Sequence, residues 1–132
     1  MMTIGQIRSE QVKRVLLVDD DHSIRELLLQ IIESFGYDVI EAANGKQALT
    51  LFEQNHHSID LLMTDICMPQ MDGSELIGRV RHHNPLLPII AITGFADAGL
   101  LKEVERLNAV LIYKPIDIDS LHCSMNAMVF DA

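Results

Sequence analysis

The chain has 132 residues, 48% of them hydrophobic, and a formal net charge of −9. That length fits one domain, and so apolar a chain is not disordered. The acidic balance disfavours nucleic-acid backbones as partners, and no apolar run approaches the length of a membrane span. The first 14 residues are mixed polar and lack the apolar core of a signal peptide, so a cytoplasmic protein is expected. Residues 1–12 fall outside the pattern described next and read as an N-terminal extension to a single domain at 13–132.

From there, short apolar runs alternate with helical patterns. Residues 15–18 form the first run, VLLV. Ile24, Leu27, Leu28, Ile31, Ile32 and Phe35 then recur at helical spacing, and Gly36 supplies the stop. Residues 37–41 read as a second strand. Asn44 reads as the N-cap of a helix that buries Ala48, Leu51 and Phe52. Residues 59–64 form the third strand, followed by the turn cluster Met68-Pro69-Gln70-Met71-Asp72-Gly73. Asp72 can cap a helix carrying Leu76, Ile77 and Val80 inward. Residues 89–93 form the fourth strand, and Gly94 and Gly99 flank a loop before a helix with Leu100, Leu101, Val104 and Leu107. Residues 109–113 form the fifth strand, and Asp117 or Asp119 caps a last helix bearing Leu121, Met125, Met128 and Val129. Such alternation predicts an α/β fold: a doubly wound, five-stranded parallel sheet with helices on both faces.

Polar residues stand where four of the apolar runs stop. The first runs into Asp19-Asp20-Asp21, the third into Asp65, the fourth into Thr93 and the fifth into Lys114-Pro115. Ligands of open α/β sheets bind at the carboxyl ends of the strands, so these groups should converge. Clustered carboxylates repel one another unless a cation neutralises them. Mg²⁺ suits the set, because it takes oxygen ligands and is held by one or two carboxylates plus phosphate oxygens. Zn²⁺ would want His or Cys, and of these only Cys67 lies near the strand ends. A carboxylate beside a cation and a lysine can attack phosphorus, and Asp65, alone at its strand end, is the candidate nucleophile.

Taken alone, each residue has a plainer reading. Asp21, Ser23 and Asp72 are natural helix caps, Thr93 a strand-end hydroxyl, Lys114 a solvated charge and Tyr113 a half-buried edge aromatic. Met68, Met71, Met125 and Met128 suit core or loop packing. Cys67 and Cys123 match no metal spacing and read as reduced and non-catalytic. Neither His56-His57 nor His82-His83 makes a chelate, because adjacent residues on a helix or strand diverge. Both pairs suit helix C-termini.

Four motifs in order carry a resemblance to a known family: Val18-Asp19-Asp20-Asp21, the stretch from Thr64-Asp65 through Met68-Pro69 to Asp72-Gly73, Thr93-Gly94 and Lys114-Pro115. The chain resembles a receiver domain of two-component response regulators, of the single-domain chemotaxis-regulator type, over about residues 13–131. The resemblance implies a flavodoxin-like strand order 2-1-3-4-5. It implies that Asp65 accepts a phosphoryl group from a histidine kinase or phosphotransfer protein. Asp20 would bind Mg²⁺ directly, Asp19 through water, and the backbone carbonyl of Cys67 would join them, with Asp65 at the same site. Thr93 would contact the phosphoryl group, Lys114 would pair with it, and the Lys114–Pro115 peptide would be cis. Phosphorylation would pull Thr93 and the following loop and change a protein-binding surface on the fourth helix, fifth strand and fifth helix.

The chain departs from the family at Leu111, where an aromatic residue normally fills the space the hydroxyl vacates; Tyr113 or Phe95 would partly take over. On this reading the protein is no multiple-turnover enzyme and catalyses only its own phosphorylation and dephosphorylation. It acts on a downstream protein of unknown identity, as a monomer or weak homodimer. Two rivals use the same residues: a pseudo-receiver that is never phosphorylated, and a haloacid-dehalogenase-like phosphatase with Asp19 as nucleophile.

Overall fold

A computed structural model describes residues 12–95 and 98–130. Five strands alternate with five helices: β1 (Arg14–Val18), α1 (His22–Ser34), β2 (Asp38–Ala42), α2 (Gly45–Asn55), β3 (Leu61–Asp65), α3 (Gly73–His83), β4 (Ile89–Thr93), α4 (Ala98–Arg106), β5 (Val110–Tyr113) and α5 (Ile118–Phe130). The sheet is parallel throughout, in the order β2-β1-β3-β4-β5. The chain therefore has the doubly wound, flavodoxin-like receiver fold expected from its sequence. The proposed extension at residues 1–12 lies, but for Val12, outside the described residues.

Alternation along each strand splits the apolar side chains between two cores. Leu16, Val18, Leu62, Ile89 and Ala91 face α2, α3 and α4, which contribute Ala48, Phe52, Leu76, Ile77, Val80 and Val104. Val15, Leu17, Leu61, Met63, Ile90 and Ile92 face α1 and α5, which contribute Leu28, Ile32, Leu121 and Met125. β3 and β4 are buried at every position, as central parallel strands must be. Met68 and Met125 are buried, with Met71 and Met128 packed against the cores, so all four methionines serve packing.

Local chemistry sets the element ends. Asp21, Asn44 and Asp72 each accept a backbone N–H three residues on and cap α1, α2 and α3. Ser23 lies inside α1 rather than at its cap. Gly36, at φ 95°, takes the left-handed turn after α1 that favours glycine. Asp117 immediately precedes α5 and its carboxylate accepts from the Ser120 hydroxyl at 2.6 Å, while Asp119 sits in the first turn. Gly99 falls inside α4, so only Gly94 borders the loop, and residues 96 and 97 lie outside the described set.

Two side chains depart from their expected places. Leu27 is 58% exposed, since the buried stripe of α1 centres on Leu28 and Ile32. Tyr37 precedes β2 instead of opening it; its ring is buried and its hydroxyl donates to Asn126 Oδ1 of α5 at 2.7 Å.

A charged clasp closes the far end of the fold. Arg81 of α3 donates to the backbone carbonyls of Leu107 (2.8 Å), Asn84 (3.1 Å), Leu87 (2.6 Å) and Asn108 (3.1 Å). It ties α3 to the turns before β4 and β5. Burial pulls its pKa below the ordinary arginine value, yet the guanidinium stays charged and its planar fork matches these acceptors.

Candidate functional site

The carboxyl ends of β1 and β3 are adjacent because β1 and β3 pair in register, Val18 opposite Thr64. Asp19 follows the first strand directly and Asp65 ends the third. Asp19 and Asp65 are buried and Asp20 is exposed, and carboxylate oxygens of all three lie within 4.8 Å of one another. β5 comes alongside β4 in turn, and the amide of Lys114 donates to the Thr93 carbonyl at 2.8 Å. The ammonium of Lys114 reaches Asp65 Oδ2 at 3.4 Å. The structure thus brings Asp19, Asp20, Asp65 and Lys114 together. The Lys114–Pro115 peptide is cis.

The backbone arranges this cluster as much as the side chains do. The Asp21 amide donates to Asp19 Oδ1 at 2.9 Å, and the Cys67 amide donates to Asp65 Oδ1 at 3.3 Å. The latter bond turns the 65–67 segment around the carboxylate and keeps Cys67, whose side chain is exposed, at the edge of the site. Gly73 explains how α3 starts so close to this segment. A Cβ there would collide with the Asp65 carbonyl oxygen and stand 2.8 Å from Ile66 Cα. The glycine lets its own amide donate to the Ile66 carbonyl at 2.9 Å.

Burial, more than neighbouring charge, sets the protonation tendency of Asp19. Burial pushes its carboxyl above the ordinary aspartate range, and the charges of Asp65 and Asp20 add to the shift. The Asp21 amide and the Lys114 ammonium oppose it without cancelling it. Buried acids in this state favour a proton or a cation. The donors are hard oxygens gathered at a solvent-open edge, which fits Mg²⁺ and not a softer metal.

Thr93 is buried, and its hydroxyl is already engaged. It donates to the Phe95 carbonyl at 2.5 Å and accepts from the Phe95 amide at 3.2 Å. Phe95 itself is 76% exposed and Tyr113 50% exposed, while Leu111 packs half-buried against the core under α2–α4. Register pairs Thr93 with Tyr113 and Ala91 with Leu111. The two aromatics therefore lie on the surface near the hydroxyl rather than within the acid cluster.

Sequence reasoning passed over Arg25. Its guanidinium donates to the Asp19 carbonyl at 2.7 Å and to Glu41 Oε1 at 3.3 Å, and bonds His22 Nδ1 at 3.2 Å. It braces the turn that carries Asp19 and Asp20 from behind. The available signal was its place one turn after the Asp21 cap, on the face of α1 beside the end of β2.

Comparison with known proteins agrees with this architecture. The sequence profile of the response regulator receiver domain matches residues 15–126. The chain is 36% identical over 122 residues to the response regulator receiver protein CpdR of Brucella abortus (strain 2308), covering 92% of this chain and all of that one. It is 34% identical over 112 residues to the regulatory protein AtoC of Escherichia coli (strain K12), covering 84% of this chain but only 24% of the larger protein. A crystal structure of the CheX-CheY-BeF3-Mg²⁺ complex from Borrelia burgdorferi superposes with a TM-score of 0.83 at 27% identity, covering 90% of this chain and 91% of that one. The profile spans most of the chain and the CpdR match takes in the whole of that relative, so the chain belongs to the response regulator receiver domain family.

Proposed function

We propose that this receiver domain is a phosphoacceptor switch in which Asp65 takes a phosphoryl group from a phosphohistidine of a histidine kinase or phosphotransfer protein. The observation that carries the reading is the Lys114 ammonium 3.4 Å from Asp65 Oδ2, beside two further carboxylates. In the transfer, an Asp65 oxygen forms a bond to phosphorus while the phosphorus–nitrogen bond to the donor imidazole breaks. The imidazole leaves with the bonding pair and picks up a proton. Lys114 pairs with a phosphoryl oxygen, and the Cys67 amide holds the attacking carboxylate in place.

Asp19, Asp20, Asp65 and the Cys67 carbonyl would hold Mg²⁺, which when bound offsets carboxylate repulsion and the charge of the incoming group. The similar CheX-CheY complex from Borrelia burgdorferi was crystallised with BeF3 and Mg²⁺.

Switching follows from the Thr93 hydroxyl. Once Asp65 carries a dianionic group, that hydroxyl gains a stronger acceptor and leaves the Phe95 backbone, freeing the segment that leads to α4. Tyr113 and Phe95 lie beside this path, and we assign them the role that an aromatic at position 111 would otherwise play. The resulting surface of α4, β5 and α5 binds a downstream protein. The activity is confined to the domain's own phosphorylation and dephosphorylation.

The test is incubation with a small phosphodonor, with and without Mg²⁺, read by intact mass and peptide mapping. Wild type gains one phosphoryl group on Asp65 only with Mg²⁺, and Asp65→Asn gains none. No uptake would support the pseudo-receiver, and label on Asp19 would support the phosphatase-like rival.

A further inference from the structure

The C-terminal ends of α2 and α3 lie side by side, and histidines collect there. α2 ends at Asn55 with His56 as its C-cap, His57 follows, and α3 carries His82 and His83 in its last turn. Neighbours within a helix point apart, but His56 and His57 lie where the helix gives way to a turn. Their ring centroids come within 3.9 Å. The buried Phe52 ring lies between the two helix ends, 6.3 Å from His56 and 6.2 Å from His83. One cavity of about 330 Å³ is lined by Phe52, Glu53, His56, His57, His83 and Asn84. This place is remote from the acid cluster. α3 begins against Asp65 and reaches His83 after 11 residues, which is roughly 16 Å at a helical rise of about 1.5 Å.

We propose that His56, His57 and His83, with the Glu53 carboxylate, form a second cation site, for an imidazole-preferring ion of the Zn²⁺ class. Three imidazoles and one carboxylate make a tetrahedral donor set of the kind Zn²⁺ accepts, and one that Mg²⁺ does not prefer. The tautomer of one ligand is already set. His56 Nδ1 lies 3.1 Å from the Glu53 backbone carbonyl, which can only accept, so Nδ1 carries a proton and Nε2 is the nitrogen left to ligate. Two helix C-termini also direct their negative ends toward the cavity and favour a cation. Among the described residues only the three aspartates already hold their ligand atoms within 4.8 Å, so binding would require the histidines to converge by rotation about their side-chain bonds. All three are exposed, and such rotations are fast and cheap. The bound ion would clamp α2 to α3 at the end opposite the phosphoacceptor.

The test is calorimetric titration of the full chain with Zn²⁺, paired with thermal melts. Wild type should bind one ion and melt at a higher temperature with it. His57→Ala and His83→Ala should each weaken binding by at least about tenfold and abolish the shift in melting temperature. His22→Ala and His122→Ala, outside the cavity, should leave both unchanged, as should Asp65→Asn. Undiminished binding in His83→Ala overturns the proposal, and so does equal loss in every histidine variant, which would mean adventitious binding to scattered imidazoles. Loss in Asp65→Asn would assign the ion to the acid cluster instead.

Discussion

The close approach of α3 to β3 can be tested by adding a single methyl group at two glycines of the same helix. At Gly73 a Cβ would overlap the Asp65 carbonyl oxygen and lie 2.8 Å from Ile66 Cα and 3.0 Å from the Asp65 carbonyl carbon. Comfortable carbon–carbon separations are about 3.5–4.0 Å, and backbone atoms cannot rotate away as a side chain would. The start of α3 must therefore retreat by roughly 1 Å, a distance that stretches the Gly73–Ile66 hydrogen bond, now 2.9 Å. Overpacking of this kind costs about 1–3 kcal/mol, and the lost hydrogen bond about 1 kcal/mol more. At Gly78, five residues on, a Cβ meets nothing within 4 Å. There the helix gains about 0.5–1 kcal/mol from alanine in place of glycine. Urea unfolding followed by circular dichroism should thus move the midpoint down for Gly73→Ala and up for Gly78→Ala at constant slope. Phosphoryl uptake should slow in Gly73→Ala, whose displaced helix start packs against the segment that follows Asp65, and stay unchanged in Gly78→Ala. Wild-type stability in Gly73→Ala, or midpoints that move in the same direction, would refute the contact reasoning.

Two further expectations concern charge and switching. Because the folded state raises the Asp19 pKa, that group's contribution to stability is complete below the ordinary aspartate value of 3.8 and is lost as pH climbs through the raised value. Without divalent cation, wild type should therefore lose more stability than Asp19→Asn as pH rises from about 4 toward neutrality. Parallel urea midpoints for the two proteins across that window would contradict it. For the switch, Tyr113→Ala and Phe95→Ala should narrow the difference in partner affinity between phosphorylated and unphosphorylated protein, and Phe95→Ala should shorten the phosphoryl lifetime by admitting water. Normal switching in both variants, or equal decay rates, would remove the aromatics from the mechanism.

Strand identity and order were legible because buried parallel strands leave little freedom. β3 and β4 must be apolar on both faces, and a polar residue can follow only where the strand leaves the core, as at Asp65 and Thr93. The acid cluster was legible for the same reason, since each member is adjacent in sequence to such a run. What escaped was chemistry that depends on a distant backbone. Tyr37 looks like a strand residue until Asn126 of α5 is seen to receive its hydroxyl. Arg81 looks like a surface charge until four carbonyls, two of them more than 25 residues away, surround its guanidinium. Arg25 is hidden likewise, because its partner is the Asp19 carbonyl and no side-chain pattern marks a carbonyl.

The histidine pairs show how a valid local rule fails at an element boundary. Divergence of neighbours holds inside α2, yet His56 is already its C-cap, and one residue of boundary shift turns two diverging rings into adjacent ones. The same boundary effect makes Asp21 a cap and leaves Ser23 inside the helix. Both the acid-cluster edge and the histidine cavity are built at points where regular structure stops. There backbone groups lose their partners within the helix or sheet, and side chains from separate elements can meet without the constraint of a common repeat. Helices of a doubly wound fold run antiparallel to its strands, so they start at one edge of the sheet and end at the other. That geometry puts the acid cluster at the edge where α1 and α3 begin, and His56, His57, His82 and His83 at the edge where α2 and α3 end. α3 spans the two edges, since it touches Asp65 with its first residue and carries His83 as its last.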